Sequence, residues 1–200
     1  MSAFVHLHVH TEFSLLDGAI RLQDLIQTAQ SFSMPAVSIT DHGSMFGVLE
    51  FYELCKKAGI KPILGCEVYV APKSRFDRHG KSESGGNGDE DRNHHLVLLA
   101  RNHTGYKNLM QLVTLGYLEG FYYKPRIDKE VLAKYHEGLI GLSACLKGEV
   151  AGLLLRNQER AARKVALEYA DIFGPGGFYL ELQANGLPDQ AVANRALIEL

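Results

Sequence analysis

Apolar runs too short for helices alternate along this chain with segments of helical period, and that alternation limits the fold more than any other feature. Over Ala3–His10, Val5, Leu7 and Val9 alternate strictly with His6, His8 and His10, the two-residue period of a strand. Arg21–Phe32 then carries Leu22, Leu25, Ile26, Ala29 and Phe32 as one helical stripe. Ala36–Thr40 predicts a short buried strand, Met45–Ala58 a helix, and Lys61–Val70 a strand with Pro62 at its edge. The polar stretch Ala71–Asn93, containing SESGGNGDEDRN, reads as a solvated loop. Beyond it, His95–Ala100 predicts a strand, Thr104–Leu118 a helix, Leu139–Leu142 a strand, and Lys147–Leu155 and Gln158–Phe173 two helices. A GPGG turn precedes the strand pattern Phe178–Leu182, and Pro188 stands near the start of a last helix reaching Leu200. Repeated βα units argue for an α/β fold with a parallel sheet or barrel. That last pattern runs to the end of the chain, so residues 1–200 read as one domain, incomplete at its C-terminus.

At 200 residues with 46% hydrophobic side chains, a core can form without crosslinks. The formal charge of −2 excludes a protein that coats nucleic acid by bulk attraction, so any polynucleotide contact must be local. Nothing approaches the ~20 apolar residues a membrane span requires. Histidines interrupt the N-terminal stretch where a signal peptide needs apolar residues, which points to a cytoplasmic chain with no membrane partner. Cys55, Cys66 and Cys145 are too few and too widely spaced for a disulfide framework.

Functional groups in α/β folds gather at the C-terminal ends of strands. Here those ends are rich in metal-ligating side chains. The first strand ends in His8-Val9-His10, an i, i+2 pair that points both imidazoles to one side, and Asp17-Gly18 follows. The second ends in Asp41-His42-Gly43, the third carries Gly65-Cys66-Glu67, the fourth begins at His94-His95, and the fifth ends in Ser143-Ala144-Cys145. Each has an ordinary explanation alone: a satisfied polar group, a turn, a helix cap, an ion pair with lysine, a small buried thiol. Together, imidazole, carboxylate and thiolate at five successive strands fit a multinuclear site for zinc, manganese or iron. His6 reads as packing or support for the pair, Asp41 as orienting His42 or capping a helix, and His94 as pointing away from the site. His79, His103 and His136 read as solvated. No GxxxxGK[ST] occurs, and Ser143 has no identifiable base and orienter, so neither P-loop nor triad chemistry is supported.

These residues carry a resemblance. HLHVHTEFSLLDGA, ITDHGSMFGVLEFY, KPILGCEVYVAP, SRFDR, HHLVLLARNHTGYKNL, YLEGFYYKPRID and GLIGLSACL together resemble the PHP (polymerase and histidinol phosphatase) domain at the N-terminus of bacterial replicative DNA polymerases, over essentially the whole chain. HxH, DH and GxE are shared with the whole family, whereas FYYKPRID and SACL point to its replicative-polymerase branch. The resemblance implies a distorted TIM-like barrel of seven βα units around up to three divalent metals, Zn2+ or Mn2+ with Fe as a further option. It assigns metal ligation to His8, His10, Asp17, His42, Glu67, His95 and Cys145, with Glu67, His10 and His42 in the catalytic role. The family's later Asp-x-His pair has no counterpart before Leu200.

Such a site implies phosphoester hydrolysis, with paired metals clamping the attacking and leaving oxygens and Glu67 as the bridge. The expected activity is a 3′→5′ exonuclease that proofreads a polymerase. Its partners would be a single-stranded or frayed DNA 3′ end, the remaining polymerase domains and other replisome subunits. Arg75, Arg78, Lys107, Lys124 and Arg126 are candidate phosphate contacts, and Tyr122 and Tyr123 candidate stacking platforms, with loop solvation and domain packing as the competing roles. Two other readings are a non-catalytic domain that metal keeps folded and that docks polymerase components, and a free-standing small-molecule phosphatase.

Overall fold

The alternating pattern builds one mixed sheet with helices packed on it. The computed structural model describes residues 4–78 and 93–200. Most of the predicted polar loop, with His79, lies outside the described residues. The elements in order are α1 (Leu22–Ser31), β1 (Ala36–Ile39), α2 (Val48–Ala58), β2 (Lys61–Val70), β3 (His94–Ala100), α3 (His103–Leu118), β4 (Arg126–Ile127), α4 (Lys129–Lys134), β5 (Leu139–Leu142), α5 (Glu149–Leu155), α6 (Glu159–Phe173), β6 (Phe178–Tyr179) and α7 (Pro188–Glu199). Local chemistry sets several boundaries. Asn102 and Asp128 cap α3 and α4 by accepting from the Gly105 and Val131 N–H groups, α2 stops at Gly59 with φ 71°, and Pro188 opens α7.

The sheet order is β1-β2-β3-β5-β6, with β4 added to the end of β2. β1–β2, β2–β4 and β5–β6 are parallel. β1 covers β2 only over Lys61–Leu64 and β3 covers it over Gly65–Val70, so Pro62 sits where β2 has a single neighbour and its missing N–H breaks no ladder.

This is the α/β, barrel-like arrangement the sequence leads one to expect, and it differs in two details. First, β3 runs antiparallel to both β2 and β5. A parallel return needs a crossover that buries an apolar face on the sheet, and the sequence between β2 and β3 is predominantly polar. Second, six strands rather than seven are found among the described residues, and backbone pairing does not close the sheet. The expected first strand is extended but makes no regular ladder. His6 O accepts from Ser38 N–H (3.0 Å) and Val9 O from Thr40 N–H (2.8 Å), while Val9 N–H is diverted to Thr40 Oγ1 (2.9 Å). Its other edge meets the residues after β6 through side chains, with His8 Nδ1 at 2.7 Å from Glu181 Oε1.

Alternation along β2 and β3 divides their side chains between two environments. Cys66, Val68, Val70, Leu96 and Leu98 face outward and pack with Leu109, Leu112, Leu132, Tyr169 and Phe173 from α3, α4 and α6. A second core joins α1 and α2 to β1 through Leu22, Ile26, Val37, Ile39, Phe51 and Cys55. On the opposite face lie Glu67, Tyr69, His95, Val97 and Leu99. That face lines a cavity of about 1670 Å³, whose walls include Ile63, Leu99, Ile140 and Leu142.

Candidate metal centre

Strand register brings the site together. In the β1–β2 pair Ile39 lies opposite Leu64, and three residues further along both strands His42 lies opposite Glu67. Backbone bonds hold that extension, with Glu67 N–H donating to Asp41 O (3.1 Å) and Gly43 N–H to Glu67 O (2.9 Å). Gly43 sits at φ 61°, and a Cβ there would lie 2.8 Å from Pro125, so the chain turns away after His42 only with glycine at that position. On the other side Glu67 faces Val97, which makes inward-pointing His95 its diagonal neighbour. Because β3 is antiparallel, its first residues arrive at the same end of the sheet as the last residues of β1.

Glu67 is 1% exposed and has four imidazoles around it. His8 Nε2 and His95 Nδ1 lie 3.3 and 3.0 Å from its Oε1, and His10 Nε2 and His42 Nδ1 lie 3.5 and 2.6 Å from its Oε2. The His8 and His10 Nε2 atoms are 3.2 Å apart, as an i, i+2 pair on one side requires. Cys145 Sγ is 4.0 Å from Glu67 Oε1 and 3.9 Å from His95 Nδ1. Ala144, a non-glycine at φ 60°, makes the turn that aims Cys145 inward.

Asp17 stands apart from Glu67. Its Oδ2 lies 3.1 Å from His42 Nε2, on the far side of that ring, and its side chain is 57% exposed. Asp41 is buried and holds the loop before Asp17, accepting from Thr11 N–H (2.6 Å), Thr11 Oγ1 (2.8 Å) and Ser14 Oγ (2.8 Å), while Ser14 Oγ accepts from His42 N–H (3.1 Å). It therefore orients His42 indirectly. His6 is exposed and lies edge-on to Phe4, His94 lies outside the cluster, and Cys66 points into the outer core. His136, expected to be solvated, is half-buried, with Nδ1 2.7 Å from Ala133 O.

Sequence reading missed Glu181. Its Oε1 is 2.7 Å from His8 Nδ1 and accepts from Gln183 Nε2 (2.7 Å), and Gln183 Nε2 also lies 3.3 Å from His8 Nδ1. Its position, next to the last residue of the predicted strand Phe178–Leu182, was the one hint in the sequence, and alone it singles out no partner.

The electrostatics follow from burial opposed by pairing. Burial alone would raise the Glu67 carboxyl, but His42, His8 and His95 more than reverse this and hold it well below the usual carboxylate range. Burial disfavours charge on His8, yet Glu181 and Glu67 overcome it and push its pKa up to about 9. His42 is raised against burial by Glu67 and Asp17, and His10 is lowered, mainly by burial. Burial and then Glu67 raise the Cys145 thiol.

Two three-residue sets in this cluster have ligand atoms close enough to hold a cation: His8, His10 and Glu67, and His42, Glu67 and His95. Glu67 belongs to both. His10 Nδ1, His42 Nδ1 and Glu67 Oε2 are buried without a hydrogen-bond partner, so the 2.6 Å approach of His42 Nδ1 to Glu67 is not aligned as a hydrogen bond. Imidazole and carboxylate lone pairs left in that arrangement fit divalent metal, and the nearby thiol fits zinc among the candidates.

The chain is similar to known proteins over almost its whole length. The chain is 53% identical over 197 residues to DNA polymerase III subunit alpha of Aquifex aeolicus, covering 98% of this chain and 17% of that protein. It is 50% identical over 198 residues to the same subunit of Treponema pallidum, covering 99% of this chain and 16% of that one. The chain thus spans about a sixth of the length of these curated relatives. A solved structure described as a putative metal-dependent phosphoesterase from Bifidobacterium adolescentis covers 98% of this chain and 85% of its own, at 14% identity and a TM-score of 0.44. The PHP domain model matches residues 6–185, and the chain belongs to the PHP domain family.

Proposed function

We propose that this chain is the PHP domain of a bacterial DNA polymerase III alpha subunit and that its metal centre hydrolyses phosphodiester bonds as a 3′→5′ exonuclease, proofreading the product of a polymerase site elsewhere in the longer protein. The observation that carries the reading is one buried carboxylate, that of Glu67, common to two histidine sets. Divalent ions held there would activate a water and neutralise charge developing on the phosphoryl oxygens. The chain's own residues supply the rest. Glu67 spans the two sets, with His8 and His10 on one side and His42 and His95 on the other, and Cys145 stands beside His95. Glu181 fixes His8 from behind, and Asp17 meets the far nitrogen of His42. Imidazoles with a thiol favour zinc, and manganese suits the same carboxylate-bridged arrangement.

Residues 1–200 act as one domain of that polymerase, working in the cytoplasm. The partners are a single-stranded or frayed DNA 3′ end, the remaining polymerase domains and other replisome subunits. Among the described residues, no helix is long and apolar enough to cross a membrane. The test is digestion of 5′-labelled single-stranded DNA with zinc or manganese, with and without chelator. Chelation should abolish digestion and so should the paired change His8→Ala, His10→Ala; digestion unaffected by that pair would refute the assignment. Bound metal without hydrolysis would leave a metal-stabilised docking domain.

A further inference from the structure

A second opening, a groove of about 860 Å³, lies on the outer side of the metal centre and shares Asp17, His42, His95 and Lys147 with the central cavity. Among the described residues its charged lining is four cations, Lys124, Arg126, Lys147 and Arg156, against two carboxylates, Asp17 and Asp77. One of the four is already committed: Arg126 donates to the carbonyls of Gly120, Arg75 and Asp77. Arg75, a phosphate candidate from the sequence, is buried against Asp128 and Glu119 and drops out, and Lys107 lines neither opening. Among the described residues Lys124, Lys147 and Arg156 remain, and the buried Arg156 Nε has no hydrogen-bond partner there.

The aromatic lining connects these cations to the centre. The Tyr69 ring lies nearly parallel to His42, with centroids 6.0 Å apart at 18°, and the Lys124 ammonium sits 5.5 Å from the Tyr69 centroid. A cation is therefore one ring away from the metal ligands. Next to it a tight turn, closed by Tyr122 N–H donating to Lys124 O (3.1 Å), holds Tyr123 at φ 58°. Tyr123 is 82% exposed and meets Tyr122 edge-on at 4.6 Å, and Tyr122 is backed by the Arg126 guanidinium at 5.2 Å. The turn holds a large aromatic ring in solvent, in a backbone conformation that non-glycine residues rarely adopt.

We infer that this groove is a binding site for single-stranded nucleic acid, with bases stacked on Tyr122 and Tyr123 and phosphates along Lys124, Lys147 and Arg156, so that the terminal phosphodiester reaches the metal centre beside His42 and His95. The inference rests on the hydrolase reading above and extends it to the strand that is cleaved. Every base has a π-face and every linkage a charge, so a groove of this chemistry accepts any sequence.

The test uses the full-length protein and an oligodeoxythymidylate carrying 5-iododeoxyuridine at its 3′ end, with a phosphorothioate terminal linkage to slow cleavage. Photocrosslinks are mapped by mass spectrometry and their yield is titrated against salt. Crosslinks are expected on Tyr122 or Tyr123. Tyr123→Ala should weaken apparent affinity about tenfold, while Tyr123→Phe, which keeps the ring, should stay near wild type. Changing Lys124, Lys147 and Arg156 together to Ala should flatten the log–log salt slope by about 2, at roughly 0.7 per phosphate contact. Crosslinks confined to other peptides, or an unchanged slope, would overturn the groove even if hydrolysis is intact. Crosslinks at Tyr122 or Tyr123 in a protein that hydrolyses no DNA would instead sustain the groove and remove the hydrolase.

Discussion

Replacing Glu181 tests whether the centre is pre-organised from behind. His8 offers Nε2 to Glu67 Oε1 at 3.3 Å and turns Nδ1 to Glu181 Oε1 at 2.7 Å. A proton on Nδ1, donated to the carboxylate, leaves the Nε2 lone pair free to bind metal. Gln183 Nε2, 3.3 Å from the same Nδ1, is a donor and favours the opposite tautomer once the carboxylate is gone. Glu181→Ala therefore removes the acceptor and leaves a group that works against metal binding. Losing such a partner typically weakens metal affinity 10–100-fold. That is about 1.4–2.7 kcal/mol, and Glu181→Ala should fall toward the upper end. Glu181→Gln keeps an acceptor oxygen without the charge and should lose about tenfold. Competition against a chromophoric zinc chelator reads both, and the melting shift at fixed metal should shrink in parallel. Adding Gln183→Leu to Glu181→Ala should recover part of the loss, a coupling that a double-mutant cycle isolates. Wild-type affinity in Glu181→Ala, or no recovery in the double variant, would show that Glu181 does not set the His8 tautomer.

Glu67→Gln should lower metal stoichiometry as well as affinity, because both ligand sets use that carboxylate; full occupancy by metal analysis would show that the sets do not share it. In metal-free protein the His8 pKa of about 9 exceeds its ordinary 6.5, so its pairing with Glu181 and Glu67 contributes fully below pH 6.5 and is lost as pH rises through 9. Urea unfolding of chelated protein should show stability falling across that window, and a rise would contradict the pairing. Arg75→Ala should destabilise by about 3–5 kcal/mol in urea, since it strands the buried Asp128 carboxylate that accepts twice from the Arg75 Nη1 group at 3.0 and 3.1 Å. A loss below about 1 kcal/mol would mean that solvent reaches Asp128.

Much of the fold was legible because its long elements carry period. The helical stripe over Arg21–Phe32 became α1, and the apolar run Lys61–Val70 became β2 residue for residue. The pair β4 and α4 was not legible. Two strand residues and six helical ones are too short for either period, and they are held by the pairing of Tyr69 and Val70 with Arg126 and Ile127 and by Asp128, which caps α4 locally and binds Arg75 across the fold. Likewise, Arg75 and Arg126 look on paper like exposed cations, because nothing local shows the carboxylate and carbonyls that bury them.

The candidate site shows where a strand-end rule stops working. His42 and Cys145 lie just past the ends of β1 and β5, as the rule expects, but Glu67 lies inside β2 and His95 near the start of β3. What places them together is the register: β2 runs on past the end of β1, so the continuation of β1 reaches Glu67 midway, and the reversal of β3 carries its beginning to the same end of the sheet. Register and direction are set by which edges pair, and one sequence read in order does not display them. Residue type compensated, because a buried carboxylate among imidazoles is costly without a cation or protons to balance it. Glu181 marks the boundary of that compensation. A single glutamate at a strand end carries no pattern of its own, and only the approach of the residues after β6 to the N-terminal segment shows that it faces His8.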